Sequence, residues 1–339
     1  MKNITIIFII ILVVLLGWFV YQKSNQFKLP IGDTEKFISD INETNMDTSK
    51  REILITDGVK HSISLNEILS GGPAKDGIPS IDAPVFISTK EADEFLNDDS
   101  SGVGVEIDGI ARFYPYQILV WHEIVNDKFG DKPVLITYCP LCALSVVYDP
   151  VVDGKYYEFG VSGKLWQSNL LMFNRTGDEK TESLWSQVLG EAVVGESTGA
   201  KLNIIPSSIL KYVDWKKKYP DTEVLSKDTG AARSYGRDPY EGYYTDDTVG
   251  FGATFDDDRL HSKEFVLGVE LNGKFKAYHI PALKEGETQD QFMGENIIIE
   301  KDKFGAVRMF VGVDKTELPY IAGFWFSWLV VHPDTELFK

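Results

Sequence analysis

Residues 132–148 read KPVLITYCPLCALSVVY and place two apolar runs on either side of a Cys-Pro-Leu-Cys motif. Residues 134–138 and 144–148 are rich in β-branched and aromatic side chains, which favours two strands. Pro140 fixes its own φ at about −65°, which suits a tight turn between them. The turn brings Cys139 and Cys142 close together, so this stretch predicts both a piece of sheet and a reactive site.

Strand signals continue outward from this stretch. Residues 156–161, 265–271 and 297–299 have the same character, and Asp153-Gly154 and Asn272-Gly273 are typical hairpin turns between them. Helix signals are fewer. Ser88 to Glu91 fit a capping box that opens a helix ending by Asn97, and Ser207 caps a helix that runs to about Tyr219. The expected fold class is strand-rich α+β.

One segment recurs along the chain. Residues 104–109 (GVEIDG) return as residues 268–273 (GVELNG), and each copy is followed at nearly the same distance by an apolar run. The pattern predicts an internal duplication of a strand-turn-strand-helix unit, with imperfect copies near residues 104–138 and 268–302. Chance similarity between two hairpins is the alternative, because such turns are common.

The N-terminus predicts a membrane anchor. Residues 4–21 form an apolar run without a charged residue, which as a helix would span about 27 Å at roughly 1.5 Å per residue. A cleaved signal peptide is the alternative, but no small-residue cleavage site follows the run. We therefore expect a single transmembrane helix in residues 1–22, a polar stalk in residues 23–50 and one large globular domain in residues 51–339.

Charge bears on location and partners. The chain carries a net charge of −17 at pH 7, and no basic stripe is present to neutralise phosphates, so nucleic acid is not an expected partner. The membrane, reached through the N-terminal helix, is the expected partner, and the sequence does not identify a protein partner. Lysines lie on both sides of the apolar run and do not fix its orientation. The acidic body favours a cell-membrane protein with an extracytoplasmic domain.

The two cysteines are the only ones in the chain, and their spacing leaves three states open: a disulfide, a cycling dithiol or half of a metal site. The motif resembles the metal-binding turn of rubredoxins and zinc ribbons. Two thiolates leave zinc two ligands short, whereas copper(I) accepts fewer and softer ligands, so copper is preferred to zinc. No other cofactor is expected.

Histidines are the candidates to complete a metal site. Pro115 opens a predicted helix that would carry His122 towards the cysteine strand, with Glu123 beside it as a supporting or surface carboxylate. His332 is the next candidate, and Met172 would suit copper but not zinc. The alternative for His122 is an ordinary hydrogen-bonded structural residue.

A second group of polar residues could line a pocket or could satisfy buried backbone groups around a tryptophan. It is dense between residues 160 and 187, and its members are Ser162, Asn169, Arg175, Glu182 and Trp185.

Several long motifs, in order, carry a resemblance to a known family. They are GGPAKDGIP (71–79), WHEIVND (121–127), TYCPLC (137–142), FGVSG (159–163), TESLWSQ (181–187), YGRDPY (235–240) and HPDTEL (332–337). On these residues the chain resembles the uncharacterised domain-of-unknown-function family 3179. The resemblance implies no established activity. It favours His122 and His332 over His279, since the family pattern leads us to expect proline at position 279.

The sequence thus predicts a membrane-anchored metal-binding protein with Cys139, Cys142, His122 and His332 as ligands. A thiol-disulfide oxidoreductase that uses the cysteine pair is one alternative. A non-catalytic ligand-binding module with a structural disulfide is the other. Whether the protein is an enzyme is left open.

Overall fold

A computed structural model describes residues 51–339 of the chain. The predicted anchor in residues 1–22 and the stalk in residues 23–50 lie outside the described residues. Within the described part, no helix has both the length and the apolar character needed to cross a membrane.

The described residues form 26 strands. The first thirteen are β1 (Leu54–Thr56), β2 (Val59–His61), β3 (Leu69–Ser70), β4 (Phe86–Ile87), β5 (Ser101–Ile107), β6 (Ile110–Pro115), β7 (Ile124–Phe129), β8 (Lys132–Cys139), β9 (Leu144–Asp149), β10 (Val151–Val152), β11 (Lys155–Tyr156), β12 (Phe159–Trp166) and β13 (Asn169–Asn174). The others are β14 (Leu184–Ser186), β15 (Glu191–Val194), β16 (Asn203–Ile204), β17 (Ser208–Lys211), β18 (Glu223–Leu225), β19 (Phe265–Leu271), β20 (Lys274–His279), β21 (Gly286–Phe292), β22 (Glu295–Lys301), β23 (Val307–Val311), β24 (Thr316–Glu317), β25 (Ile321–Phe324) and β26 (Glu336–Phe338).

The helices of the described residues are short, and this corrects the expected α+β class. They are α1 (Thr89–Ala92), α2 (Tyr116–Leu119), α3 (Tyr212–Lys218), α4 (Glu241–Tyr244) and α5 (Trp325–Leu329), with 3-10 turns at Leu65–Glu67, Pro140–Cys142 and Ile280–Ala282. The longest has seven residues, about two turns. Helices this short cannot form a packing layer, so the fold is mainly β.

The strands build four larger sheets and one two-stranded ribbon, β10-β11. The seven-stranded sheet has the order β1-β2-β15-β14-β13-β12-β3, and the five-stranded sheet has the order β17-β5-β6-β18-β4. The eight-stranded sheet runs β26-β20-β19-β25-β9-β8-β7, with β16 also paired to β9. The four-stranded sheet is the meander β21-β22-β23-β24.

The eight-stranded sheet is covered on both faces at β8 and β9. Leu135 and Val146 belong to a core shared with the seven-stranded sheet, whereas Val134, Ile136 and Val147 belong to a core shared with the five-stranded sheet. Successive side chains of a strand point to opposite faces, so a strand buried on both faces is apolar throughout. This arrangement explains the unbroken apolar runs of the 132–148 stretch.

The predicted strands around the motif are confirmed by β8 and β9, and residues 265–271 by β19. The strand predicted at residues 156–161 is divided between β11 and β12. The helix predicted from Ser207 begins later, because Ser208–Lys211 first pairs with β5 as a strand. The capping box at Ser88 is present, but its helix ends at Ala92.

Both copies of the repeated segment form hairpins, β5-β6 and β19-β20, but the predicted helix is short in the first unit and wrong in the second. The first hairpin is followed by the four-residue α2 and the second only by a 3-10 turn. The two hairpins have matching neighbours, since the orders β17-β5-β6-β18 and β25-β19-β20-β26 have the same pairing directions.

The matching sub-sheets also share a packing device. Trp215 covers Gly104 in one, and Trp328 covers Gly268 in the other. Each indole N–H donates to a threonine hydroxyl that follows it in the chain, Thr222 or Thr335. A side chain at either glycine would occupy the space of the ring, so the glycines allow the tryptophans to lie on the strands.

Candidate functional site

The Cys-Pro-Leu-Cys motif forms a single sharp turn between β8 and β9. Cys139 is the last residue of β8, Pro140 starts a 3-10 turn, and the Ala143 N–H donates to the Pro140 carbonyl at 3.1 Å. Ala143 then takes a left-handed conformation with φ 43° and starts the return strand. Both cysteines are free thiols and both are buried. The turn therefore presents two thiols from one rigid element.

Both sulfurs approach one carbonyl group from the neighbouring sheet. The Ser168 carbonyl oxygen lies 3.4 Å from Cys142 Sγ and 3.8 Å from Cys139 Sγ. Ser168 stands in the two-residue turn between β12 and β13, so the hairpin of the seven-stranded sheet meets the cysteine turn of the eight-stranded sheet. The site is formed where the two sheets face each other.

Asn169 connects the cysteine turn to a polar network inside the core. Its amide Nδ2 lies 3.7 Å from Cys142 Sγ and also donates to Gln187 Oε1 at 2.8 Å. Gln187 in turn donates to Thr137 Oγ1 and to the Leu144 carbonyl, at 3.0 and 3.1 Å. Buried amides that are fully hydrogen-bonded hold their positions firmly. The network fixes the cysteine turn from both flanking strands.

Unusual backbone conformations gather around the thiols. Glu123, Ala143, Gln167 and Ser168 all have positive φ, at 59°, 43°, 51° and 65°. Most other non-glycine residues with positive φ in the described residues are Asp or Asn in turns, which tolerate this conformation. Left-handed residues other than Gly, Asp and Asn are strained, and they concentrate at functional sites, where the surrounding structure maintains the strain.

The surroundings shift the pKa values of the two thiols in opposite directions. Burial by itself raises the pKa of Cys139, but hydrogen bonds from the Cys142 thiol and from backbone N–H groups, that of Leu170 foremost, stabilise its thiolate. The net effect lowers the pKa of Cys139 below the usual cysteine value. Burial raises the pKa of Cys142 well above that value, and donation to Cys139 and the charge there raise it further. Cys139 is thus the thiol that ionises first.

A buried carboxyl group accompanies the reactive thiol. Glu123 has 7% of its surface exposed, and its backbone carbonyl accepts a hydrogen bond from the Tyr138 N–H at 2.7 Å, next to Cys139 in the chain. Burial raises the pKa of Glu123 well above its usual range, and the negative charge of Cys139 raises it further. A carboxyl group in this state holds its proton to higher pH than an ordinary glutamic acid and can exchange it with a neighbouring group.

Two tyrosines from a distant segment adjoin the thiols. Burial raises the pKa of Tyr240, with smaller contributions from the charges of Glu123 and Cys139, and burial and the charges of Cys142 and Cys139 do the same for Tyr243. The Tyr243 and Ser168 hydroxyls are buried and approach each other, and this interaction opposes the rise in the pKa of Tyr243, although the pair does not reach ideal hydrogen-bond geometry. The Tyr243 and Ser168 hydroxyls therefore place polar groups beside the buried thiols.

His122 lies beyond the end of α2 rather than on a helix, and it is engaged elsewhere. Its Nδ1 lies 2.7 Å from the Pro79 carbonyl, so this nitrogen carries the proton and donates. Its Nε2, 2.6 Å from the Tyr235 hydroxyl, then accepts. Burial lowers the pKa of His122. Both ring nitrogens are therefore occupied in this arrangement.

His332 and Met172 lie in the core. The His332 ring stacks on Phe275 with centroids 3.7 Å apart and packs on Trp328 at 4.2 Å. Met172 is buried in β13, opposite Trp185. Across residues 51–339, no three His, Cys, Asp or Glu side chains are grouped so as to hold a metal ion. The structure brings together the two cysteines of the predicted ligand set and gives both histidines other neighbours.

The five residues predicted as a pocket have separate environments. Ser162 donates to the Leu171 carbonyl, and the Trp185 indole N–H donates to Asn174 Oδ1 at 3.0 Å. Arg175 pairs with Asp76 at 2.8 Å, and Glu182 accepts from Lys75 at 2.5 Å. Only Asn169 of the five contacts a cysteine.

Sequence reasoning gave no role in the site to Ser168, Tyr240 or Tyr243 and gave Glu123 only a supporting or surface role. One signal was available for Glu123, its position in the Trp-His-Glu motif just before β7. Nothing local signals the other three, because their contact with the thiols depends on how distant segments pack.

Fold and site together define a class: a mainly-β protein with a buried dithiol turn supported by a carboxyl group. The chain belongs to the family described as "Protein of unknown function (DUF3179)", whose model matches residues 75–316. The match includes both cysteines, Glu123 and the tyrosine segment, while the 332–337 motif lies beyond it. Neither a curated protein nor a solved structure matches the chain.

Proposed function

We propose that the protein is a thiol-disulfide oxidoreductase that uses Cys139 and Cys142. The observation that carries the proposal is the pairing of two free, buried thiols at one turn, both directed at the Ser168 carbonyl. The opposite pKa shifts of the two thiols support distinct roles. A low-pKa attacking thiol and a high-pKa resolving thiol are what disulfide exchange requires.

The exchange would proceed in two steps. The Cys139 thiolate attacks one sulfur of a substrate disulfide, the substrate S–S bond breaks, and the departing sulfur leaves as a thiolate that takes a proton. Cys142 then attacks the Cys139 sulfur of the mixed disulfide and releases the second substrate thiol. Glu123, protonated because its pKa is raised, would give its proton to the first departing sulfur, and the resulting carboxylate would take the proton of Cys142 and pass it to the second. The protein ends as the disulfide and the substrate as two thiols.

This function requires that a substrate disulfide can reach the thiols. Cys139 has 2% of its surface exposed and Cys142 has none. A substrate disulfide therefore reaches Cys139 only when neighbouring groups move, and Tyr240 and Tyr243 are the side chains from outside the two sheets that adjoin it.

The test is a redox titration of the full chain. The protein is equilibrated in glutathione buffers of varied ratio, quenched with acid, alkylated and weighed by mass spectrometry. We expect one reversible two-electron transition, which Cys139→Ser abolishes, while Cys142→Ser accumulates a mixed disulfide with glutathione on Cys139. Thiols that stay reduced at every ratio would contradict the proposal. A potential far below that of the buffers would favour a structural disulfide.

A copper(I) site on the same thiols is the second candidate. It is favoured by one observation, that two free sulfurs are directed at a common point, since copper(I) accepts two thiolates. The four-ligand version requires His122 and His332 to leave their present partners. Elemental analysis of the anaerobically purified full chain tests it: near-stoichiometric copper or zinc should vanish in the Cys139→Ser, Cys142→Ser double variant. Absence of metal in both would leave the redox proposal.

A further inference from the structure

A pocket separate from the cysteine turn opens beside β9, β16 and the β19-β20 hairpin. Its volume is about 320 Å³, which is within the range of small-molecule sites. Its apolar walls include Tyr148, Leu202, Phe275, Ile321 and Trp328. A ligand seated here would bury an aromatic or aliphatic body.

Two cations border this apolar space, and their hydrogen bonding to residues 51–339 is incomplete. Arg51 donates to the Val331 carbonyl at 3.3 Å and lies 4.0 Å from Glu191, while Lys201 lies 3.8 Å from the same carboxylate. Both ion pairs are at the outer limit of contact. A guanidinium has five N–H donors, so within the described part of the chain Arg51 retains donors that one weak hydrogen bond and one distant carboxylate do not use.

His332 adds a further unpaired group at the pocket wall. It has 5% of its surface exposed, and its Nδ1 is buried without a hydrogen-bond partner among the described residues. Burial, and then the charges of Arg51 and Lys201, lower the pKa of His332 well below its usual value, so the ring is neutral. A neutral imidazole still carries one N–H that can donate to a ligand.

We propose that this pocket binds a small organic carboxylate with an apolar body. A carboxylate is an acceptor only, which suits the donors of Arg51, Lys201 and the neutral His332. Glu191 and Glu270 also line the pocket and oppose an anion. Glu191 is shared between the two cations at 4.0 and 3.8 Å, and Glu270 also acts on Arg51 through its charge, so the attraction for the ligand comes from Arg51 N–H groups that no carboxylate of the described residues contacts closely.

The test measures binding of 3-phenylpropionate to the full chain by calorimetry and by its effect on thermal unfolding. The uncharged amide of the same acid is the matched ligand control. We expect the acid to bind and to raise Tm, and the amide to bind at least about tenfold more weakly. The reason is that a hydrogen bond to a charged group contributes a factor on the order of ten or more to the binding constant.

Variants assign the binding to the pocket. Arg51→Gln should weaken binding of the acid by about tenfold or more, and His332→Phe, which keeps the ring stack, should weaken it while leaving Tm of the free protein similar. Arg308→Gln, an exposed arginine paired with Glu317, is the control and should change nothing. The proposal is overturned if the acid does not bind, if acid and amide bind equally, or if neither pocket variant affects binding.

Discussion

Cys139 and Cys142 share one turn and yet differ in chemistry. The difference arises because Cys142 and several backbone N–H groups donate to Cys139, whereas Cys142 itself faces a weakly donating amide and the Ser168 carbonyl. The acidity of each thiol here depends on which groups donate hydrogen bonds to its sulfur, and less on the residue types in the motif. The asymmetry leads to a direct test.

Replacing Cys142 should raise the pKa of Cys139. Cys142→Ala removes the thiol that stabilises the Cys139 thiolate, while Cys142→Ser keeps a donor in place, so the pKa should be higher in the alanine variant than in the serine variant. The measurement is the ultraviolet absorbance of the thiolate as a function of pH, with the Cys139→Ser variant as the blank. Equal titration curves for the two variants would show that the hydrogen bond does not set the pKa.

Glu123 should make stability depend on pH. An unfolded chain releases this proton near the ordinary value of 4.5, but the folded protein holds it to higher pH. Between those two values the folded state binds more protons, so the free energy of unfolding falls as pH rises. Glu123→Gln has no proton to lose at this position. As pH rises, its free energy of unfolding should therefore increase relative to that of the wild type, by about 1.4 kcal/mol for each unit by which the pKa is raised.

The measurement for Glu123 is urea unfolding of both proteins from about pH 5 to pH 8. Glu295→Gln, at an exposed position, is the control and should follow the wild type. A constant difference between Glu123→Gln and the wild type across this range would mean that the carboxyl group is not held protonated.

At the scale of elements, a buried lysine contacts the segment that contains α4 at several points. Lys263 is buried, donates to the Tyr243 and Asp246 carbonyls and to Asp246 Oδ1, and lies 3.6 Å from the centre of the Tyr243 ring. The segment has little regular structure of its own. Its position over the thiols therefore depends strongly on this contact.

Lys263→Met should expose the thiols. Loss of several hydrogen bonds from a charged group weakens the anchor of α4, so we expect a soluble aromatic disulfide reagent to modify the cysteines on the order of tenfold faster. Lys303→Met, at an exposed lysine, is the control. Global unfolding rates measured in parallel separate local opening from loss of the fold, and equal modification rates would exclude α4 as the cover.

The tryptophan-on-glycine contacts predict a second effect at this scale. A Cβ built at Gly268 would lie 2.3 to 2.5 Å from atoms of the Trp328 ring, closer than packed atoms tolerate. Gly268→Ala should therefore lower the free energy of unfolding by about 1–3 kcal/mol. Gly250→Ala, with open space around the new methyl group, is the matched control. Similar denaturation midpoints for both variants would show that the ring gives way freely.

At the scale of the whole molecule, ion-paired aspartates should set the acid limit of stability. Their pKa values are lowered by partners on other segments or by local hydrogen bonds, and they are Asp93, Asp99, Asp246, Asp257 and Asp302. For Asp246, donation from Thr248 and then from Lys263 lowers the pKa from 3.8 to about 2. Such groups stabilise the fold above their unfolded pKa and lose that effect as pH falls through the folded value.

We therefore expect Tm to fall steeply as pH decreases from 3.8 towards about 2. Calorimetric scans of the wild type and Asp246→Asn check this, because the variant should lose less Tm over that interval. Parallel curves for the two proteins would contradict a contribution from Asp246. The location of the acidic body outside the cytoplasm at the cell membrane, and its lack of affinity for nucleic acid, stay predictions that fractionation and binding assays can test.

The sequence by itself determined the strands around residues 132–148, the tight turn of the Cys-Pro-Leu-Cys motif and the family. These are local properties: alternation of side chains along a strand, the fixed φ of proline and motifs written in order. The same local reasoning overestimated the length of the helices. A capping box or a proline can start a helix, but it does not supply the apolar face that a long helix needs to pack against the core.

The tertiary structure alone decided the composition of the site. His122 lies 113 residues from Tyr235, which occupies its Nε2, and Thr137 lies 50 residues from Gln187, which fixes the cysteine strand. The left-handed turn at Ser168 reaches the thiols only because two sheets stack face to face. Contacts of this kind depend on the packing of whole layers, and no pattern within a single strand or turn specifies them.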